Sequence, residues 1–549
     1  MNPVATSLLL AALVCADFSS ALARPLRRVE VQLLAINDLH GYLEPPAGAQ
    51  GEINHVPAGG VEYLATHLER AAQEHPATLL VGAGDMIGAS PLLSSMFDDA
   101  PTIETLNAMH MAVTAIGNHE LDKGAVVFKR KIEGLYPRED GCPDGRARAA
   151  ASYQYLAGNV VLTDTGAALA PATAVRTVGG IKIGFIGETL QGTGAIISPR
   201  AANGLDFQDE SRVANAAAAK LERQGVHAIV LLIHQGGQQN PAAGVAADPN
   251  GCVNFQGDLA PILPKLAPSI KVVISGHTHQ FYNCRIAGRV VTSASAFGRM
   301  FTRMTLQIDP RTDRILSVEA VNQVVTRDVP KDGVQTAILD KYRSGLAQLA
   351  GRVVGSTSGK IVREQNHAAE SAMGDVIADS LREEGPSSGA VGAQVAFINS
   401  GGLRASLDAA GPVTYGELFA IQPFADHIDS ITLTGDMIRR LLEQQFHATG
   451  HSDILQVSKG FTYRYRLDAP PGRHVAPGSI ALDGRPIAPG DKVRVATSEF
   501  LAQGGNGFTV FAEGADAEMG NIDVDAVARY FTAHSPLAPG PIDRITRTD

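Results

Sequence analysis

The chain has 549 residues, 45% of them hydrophobic and 19% charged, with a formal net charge of −10. That length exceeds one ordinary hydrophobic core and predicts about two to four domains, while the composition excludes a disordered or fibrous chain. An acidic protein makes a poor sleeve for a polyanion, which argues against a nucleic acid polymer as the main partner. A small phosphorylated ligand needs only local positive charge.

The N-terminus carries the apolar run Ser7–Ala16, then Ala21-x-Ala23 ahead of Arg24 and Pro25. The run is too short to span a bilayer and the small residues match a cleavage site, so residues 1–23 read as a signal peptide, although no Lys or Arg precedes the run. No later segment approaches the roughly twenty apolar residues of a membrane span. The expectation is an exported protein, periplasmic or extracellular. Cleavage leaves Cys142, Cys252 and Cys284. An odd count in an oxidising compartment permits one disulfide. Cys252 and Cys284 flank the strand that leads into Gly-His-Thr-His and are the favoured pair; three free thiols are the alternative.

From about residue 29 to 326, strand-like and helix-like segments alternate. Apolar runs at Val31–Ile36, Thr78–Val81, Val113–Ile116, Ile229–Ile233 and Val272–Ile274 predict buried strands. Gly60–Glu74 and Glu210–Gln224 read as helices, and Arg289–Thr292, Thr302–Ile308 and Ile315–Val324 as antiparallel strands closing the domain. Each buried run leads into residues that suit a divalent metal: Asp38 and His40, then Asp85, Asn118, His234, and His277 with His279. Polar residues just past successive strand ends converge at one edge of a parallel sheet. Oxygen and imidazole donors without thiolate suit Zn, Mn, Co, Fe or Mg, and this set suits a pair of divalent ions. His119 follows Asn118 directly, and Asp122 lies three residues on. If a helix begins there, Asp122 reaches the imidazole and holds it protonated; the plainer reading of Asp122 is a helix-start carboxylate.

Asp332–Ala350 has helical spacing and Gly351–Lys360 is rich in Gly and Ser, so the connection between domains is expected at 332–360. A second α/β pattern follows over 361–549. Glu370–Arg382 and Thr434–His447 read as helices and Val395–Ile398, Phe461–Leu467 and Val493–Ala496 as strands, with a hairpin turn at Asp483-Gly484. Asn399-Ser400-Gly401-Gly402-Leu403-Arg404 follows one of those strands. Its glycines admit a ligand close to the backbone, and Arg404 offers a planar fork for phosphate oxygens. Arg363 is a further candidate cation. Phe424 and Phe500 occupy loop settings, after Gln-Pro and before Leu-Ala-Gln-Gly-Gly.

The order Asp-x-His, Gly-Asp, Gly-Asn-His-Glu, His and Gly-His-x-His resembles the calcineurin-like metallophosphoesterases. Ile398–Arg404, Gln422–Phe424 and Phe500–Phe508 sharpen the resemblance to the 5′-nucleotidase family, which includes periplasmic UDP-sugar hydrolases and ecto-5′-nucleotidases. The resemblance implies an N-terminal four-layer metallophosphoesterase sandwich over 29–326, a helical linker over 332–360 and a C-terminal α/β substrate-binding domain over 361–549. It makes Asp85 a bridge between two ions, completed by Asp38, His40 and His279 on one and by Asn118, His234 and His277 on the other. It gives the His119–Asp122 pair the task of stabilising charge on the phosphate or protonating the leaving oxygen. Asn399, Gly402 and Arg404 would contact substrate, and Phe424 and Phe500 would sandwich the nucleobase. Asn506 departs from the family, which has Asp there to accept from the ribose hydroxyls; the amide loses the charge-assisted part of that bond. The implied activity is release of phosphate from nucleoside 5′-monophosphates, extending to nucleotide sugars or di- and triphosphates. A 2′,3′-cyclic nucleotide phosphodiesterase with 3′-nucleotidase activity uses the same metal segments. A non-catalytic nucleotide-binding protein is the reading from another class, and the intact donors with His119 stand against it.

Overall fold

The apolar runs assemble into two six-stranded mixed sheets packed face to face. The computed structural model describes residues 28–549 apart from 47, 136–147, 198, 243, 386–391, 425 and 448–451; the signal-peptide reading at 1–23 and Cys142 lie outside the described residues. The first sheet runs, in order, Arg314–Val324, Met300–Asp309, Val29–Ile36, Thr78–Gly82, Met111–Ala115 and Gln154–Leu156. Its last four strands are mutually parallel, and the first two antiparallel. The second sheet runs Phe281–Ile286, Arg289–Ala294, Ile270–Ser275, Ala228–His234, Ile181–Thr189 and Thr173–Val178, its four central strands parallel. Strands covered on both faces need near-continuous apolar sequence, and Ala228–His234 is buried at every position.

Val31, Leu33, Val81, Val113, Phe185, Val230, Val272 and Leu306 fill the space between the sheets. The helices Val61–Glu74, Ala100–Ala108 and Gly333–Ala350 cover the outer face of the first sheet through Leu64, Leu68, Ile103, Leu106, Leu339 and Tyr342. Glu210–Arg223 covers the second through Ala214, Ala218 and Leu221. The result is a helix–sheet–sheet–helix sandwich with the parallel strand ends gathered at one edge.

Two segments differ from the sequence reading. Arg289–Ala294 is parallel to Ile270–Ser275 and forms a hairpin with Phe281–Ile286, turning at Ala287 and Gly288, both at positive φ. Asn283 and Arg285 break the apolar pattern of that extra strand, which hides it from periodicity. The Cys252–Cys284 disulfide is formed, its Cα atoms 5.1 Å apart, and fastens the same hairpin to the loop before Phe255. Val353–Thr357, inside the Gly/Ser-rich connection, is a strand antiparallel to Gly411–Thr414. Its β-branched residues outweigh the neighbouring glycines.

The second domain is built on a five-stranded sheet in the order Gln456–Val457, Val395–Ile398, Lys492–Ser498, His427–Thr434 and Ala515–Ile522. Ala372–Glu384 and Asp523–Ala533 pack on one face and Gly435–Glu443 on the other. Thr434 caps the last of these by accepting from Met437 N, and the helix ends four residues before His447. Asp483 and Gly484, both at positive φ, join Ala481–Leu482 to Arg485–Pro486, the turn chemistry read from the sequence.

Candidate active site

All seven candidate metal donors lie together at the strand-end edge of the first domain. Asp38, His40 and Asp85 are fully buried or nearly so, as are Asn118 and His234. Asp38, His40 and His279 form one group with donor atoms within 4.8 Å of one another; Asp85, His234 and His277 form a second. Asp85 joins the two, its Oδ2 lying 2.9 Å from His234 Nε2 and 3.5 Å from His40 Nε2. Asn118 Oδ1 sits 3.1 Å from His234 Nε2 and 3.0 Å from His277 Nδ1. His234 is the last residue of its strand rather than a residue beyond it.

The backbone is bent to bring these groups inward. Asp38, His40, Asp85, His277 and His279 all have φ between 48° and 71°, a left-handed conformation that costs about 1–3 kcal/mol at a non-glycine residue. Such strain at five of seven donors marks a site that the surrounding fold enforces. The glycines in the motifs serve close approach: a Cβ on Gly276 would stand 2.8 Å from Asp38 Oδ2, and one on Gly117 would collide with Asp85 Oδ1.

The ring tautomers show why cations fit. His40 Nδ1 is 2.9 Å from Gly88 O and His234 Nδ1 2.8 Å from Ala83 O, so each of these nitrogens donates to its carbonyl. In the neutral rings that leaves each Nε2 with a lone pair. His40 Nε2 then faces His279 Nε2 at 3.0 Å, and His234 Nε2 faces Asp85 and Asn118 oxygens. A lone pair turned toward carboxylate and amide oxygens, as at His234 Nε2, is stable only with positive charge between them. Without it protons fill the role unevenly. Burial lowers His234, but the Asp85 carboxylate outweighs it and lifts the imidazole to about 10. Burial and the neighbouring His234 press His277 down to about 3. Burial raises Asp38 to about 7 against the pull of His234. The donor set fits divalent ions.

Two supporting residues are not among those singled out by the sequence. Glu120, buried, accepts from the backbone N–H groups of Gly117 (2.7 Å), Asp85 (2.9 Å) and Met86 (2.8 Å), tying the Asp85 turn to the Asn118 turn. Asn37 donates to Asp38 Oδ2 and to Ser295 O, both at 2.6 Å, and accepts from Ala294 N. Their adjacency to donors in Gly-Asn-His-Glu and Asn-Asp-Leu-His is the signal that could have found them.

His119 opens a short 3-10 turn, His119–Leu121, and its Nδ1 lies 2.9 Å from both carboxylate oxygens of Asp122. Burial works against the imidazolium, yet Asp122 and Asp85 outweigh it and raise the His119 pKa. His119 N also donates to Asp85 Oδ1 at 2.8 Å, and His119 joins His40 and Asp85 in a third group of converging donors.

A cleft of about 1010 Å³ runs from these residues into the second domain. Asn118, His119, Asp122 and His277 line one side; Asn399, Gly402, Arg404, Phe424, Phe500 and Asn506 line the other. Ser400–Gly402 forms a 3-10 turn after Val395–Ile398, and Arg404 N is held by Ile421 O at 2.8 Å. Arg363 donates to Leu403 O at 2.9 Å, and burial with the nearby Arg404 lowers its pKa. Arg363 therefore stands close enough to Arg404 for the two cations to repel one another.

A family model for the calcineurin-like phosphoesterases matches residues 31–281, and one for the 5′-nucleotidase C-terminal domain matches 353–513. The chain belongs to the 5′-nucleotidase family, with an N-terminal calcineurin-like phosphoesterase domain. Endonuclease YhcR of Bacillus subtilis (strain 168) is 28% identical over 493 residues, 89% of this chain and 38% of that protein. Cell wall protein Lmo0130 of Listeria monocytogenes is 29% identical over 516 residues, 88% of this chain and 64% of that protein. The chain thus spans less than two thirds of either relative. A 5′-nucleotidase precursor from Thermus thermophilus shares the fold, with a TM-score of 0.77 at 23% identity over 95% of this chain and 100% of that one.

Proposed function

We propose that the chain is an exported phosphohydrolase that holds two divalent ions and releases phosphate from nucleoside 5′-monophosphates, with nucleotide sugars and di- or triphosphates as further substrates. One observation carries this reading: a single cleft runs from Asn118, His119 and His277, at the rim of the converging donors, to Arg404, Phe424 and Phe500. Asp38, His40 and His279 would hold one ion and Asn118, His234 and His277 the other, with Asp85 between them. When bound, such ions lower the pKa of a water and neutralise charge on a phosphoryl group.

The remaining work falls to the protein's own side chains. Arg404 orients phosphate oxygens through its fork of donors. His119, kept protonated by Asp122, donates to the leaving oxygen or to the charge growing there. Phe424 and Phe500 offer ring faces to the base, and Asn506 accepts from the sugar. Asn399 and Gly402 bring backbone and amide groups against the substrate. Export is supported by the sequence at 1–23 and by the Listeria relative's name as a cell wall protein; among the described residues no helix is long and apolar enough to cross a membrane. We divide the chain as 1–23, a cleaved signal; 29–326, the metallophosphoesterase domain; 332–360, the linker; and 361–549, the substrate-binding domain.

The test is phosphate release from AMP, a UDP-sugar and a 2′,3′-cyclic nucleotide, with chelated and metal-reloaded protein. Metal-dependent release from AMP is expected. Faster opening of the cyclic nucleotide would favour the phosphodiesterase reading, and binding without release would make the chain a nucleotide binder.

A further inference from the structure

We propose that Asp426 reads the edge of the nucleobase and selects a purine that presents two adjacent N–H donors, the 2-amino-6-oxo pattern of guanine. This rests on the reading above that Phe424 and Phe500 hold the base.

Two independent features of the fold bring Asp426 to that slot. It lies two residues beyond Phe424, immediately before the strand His427–Thr434. That strand pairs antiparallel with Lys492–Ser498, with Ile428 opposite Ser498. The short helix Glu499–Ala502, which carries Phe500, follows Ser498 directly and packs against that strand. All three residues line the cleft. The Asp426 backbone is anchored, its carbonyl accepting from Asp523 N at 2.9 Å. The side chain has no hydrogen-bond partner among the described residues.

The carboxyl therefore sits in the cleft short of donors. Burial, then the nearby Glu499 and Asp122 carboxylates, push it up to about 7, with Lys123 opposing them. A group in that position gains from a ligand that supplies N–H groups. An ionised carboxylate is a pure acceptor, and its two oxygens match two parallel donors. Guanine offers them as N1–H and the 2-amino group. Adenine offers a donor beside an acceptor, so one oxygen would face a lone pair. An amide at the same position has one donor and one acceptor and suits adenine. The choice of Asp over Asn is thus a choice between base edges.

The metal-loaded full chain should be assayed on GMP, AMP and IMP. IMP lacks only the 2-amino group, so the unmodified protein should prefer GMP over IMP by about tenfold or more, the usual discrimination when a buried acceptor loses its donor. In Asp426→Asn the ratio of kcat/KM for GMP to that for AMP should fall by about 10- to 100-fold. This ratio is internal to each protein and does not depend on the fraction folded or loaded. Equal efficiencies on GMP and IMP, or a GMP-to-AMP ratio unmoved in Asp426→Asn, would overturn the assignment. If the Phe424→Ala and Phe500→Ala variants still process GMP and AMP as well as the parent, the base slot itself is wrong and the Asp426 inference falls with it. If they are impaired on both nucleotides while the Asp426→Asn ratio stays fixed, only the Asp426 inference is lost.

Discussion

Phe424 lies against His119 across the domain boundary, the two rings 6.0 Å apart between centroids and 29° from parallel. The Arg404 guanidinium carbon is also 6.0 Å from the Phe424 centroid. The ring thus neighbours the imidazole of the first domain and a cation of the second. Any ligand that reaches Phe424 from the cleft therefore meets His119 and Arg404 as its immediate neighbours.

Asp85→Asn should lose metal and nearly all turnover. The carboxylate is the group that faces both donor clusters, through His234 and His40, and a neutral amide supplies no anionic bridge. Metal content by elemental analysis, measured with phosphate release, checks it. Full occupancy with near-parental activity would remove Asp85 from the bridging position.

His119→Ala should keep metal but lose about 10²–10⁴-fold in turnover if the imidazole acts as an acid or stabilises charge. Collapse of metal occupancy would make His119 a ligand, a role its convergence with His40 and Asp85 leaves open to measurement. Asp122 helps raise the His119 pKa above its ordinary value, so the imidazolium persists below that raised value and is lost as pH rises through it. Asp122→Asn removes one source of the elevation. The alkaline limb of the kcat/KM profile should move to lower pH, and an unmoved limb would separate the pair from the rate-limiting proton.

The candidate metal donors are legible in the sequence because each ends an apolar run, and strand ends of a parallel sheet share an edge. Asp122 is legible from spacing, since one turn brings position 122 back to 119. Other features are products of tertiary structure. Nothing in the sequence marks the left-handed backbone at Asp38 or His279, because the strain is imposed by neighbours distant in the chain. The Phe281–Ile286 strand is obscured by polar positions that contact Asn250 and Val318. Val353–Thr357 is hidden by its glycine and serine neighbours, although its β-branched residues favour a strand. The Phe424–His119 contact depends on how the domains meet, which periodicity does not encode.

Chelation should lower thermal stability as well as activity. A ligand that binds only the folded state at about 100 times its Kd contributes about 2.7 kcal/mol, and the converging donors come together only in the folded chain. A melting curve with chelator, then with each divalent ion restored, reads this without any substrate. His234→Ala should abolish most of the metal-dependent shift, since its Nε2 meets both Asp85 and Asn118. An equal shift in parent and variant would mean that the ions bind elsewhere.

Phe424→Ala and Phe500→Ala test whether the second domain chooses the substrate. Removing a stacking face should weaken AMP binding by about 1–3 kcal/mol per ring. A nitrophenyl phosphate is too small to reach that region while its phosphoryl group lies at the metal donors, so it should suffer far less. Phe500 carries a further constraint: Gly505 packs against its ring so closely that a Cβ there would fall 2.5 Å from the ring carbons. That side of Phe500 is thereby committed to the loop. Asn506, in the same loop at φ 53° and ψ 21°, adopts a conformation that Asp also tolerates. Asn506→Asp should therefore fold normally and improve AMP relative to the artificial ester, by restoring a charged acceptor for the ribose diol. The informative quantity is the ratio of kcat/KM values for AMP and nitrophenyl phosphate in each variant. Loss of that ratio in both phenylalanine variants, with a gain in Asn506→Asp, is the expected pattern. A ratio unchanged in all three folded variants would make the rings core residues and leave the nucleotide assignment resting on the family alone.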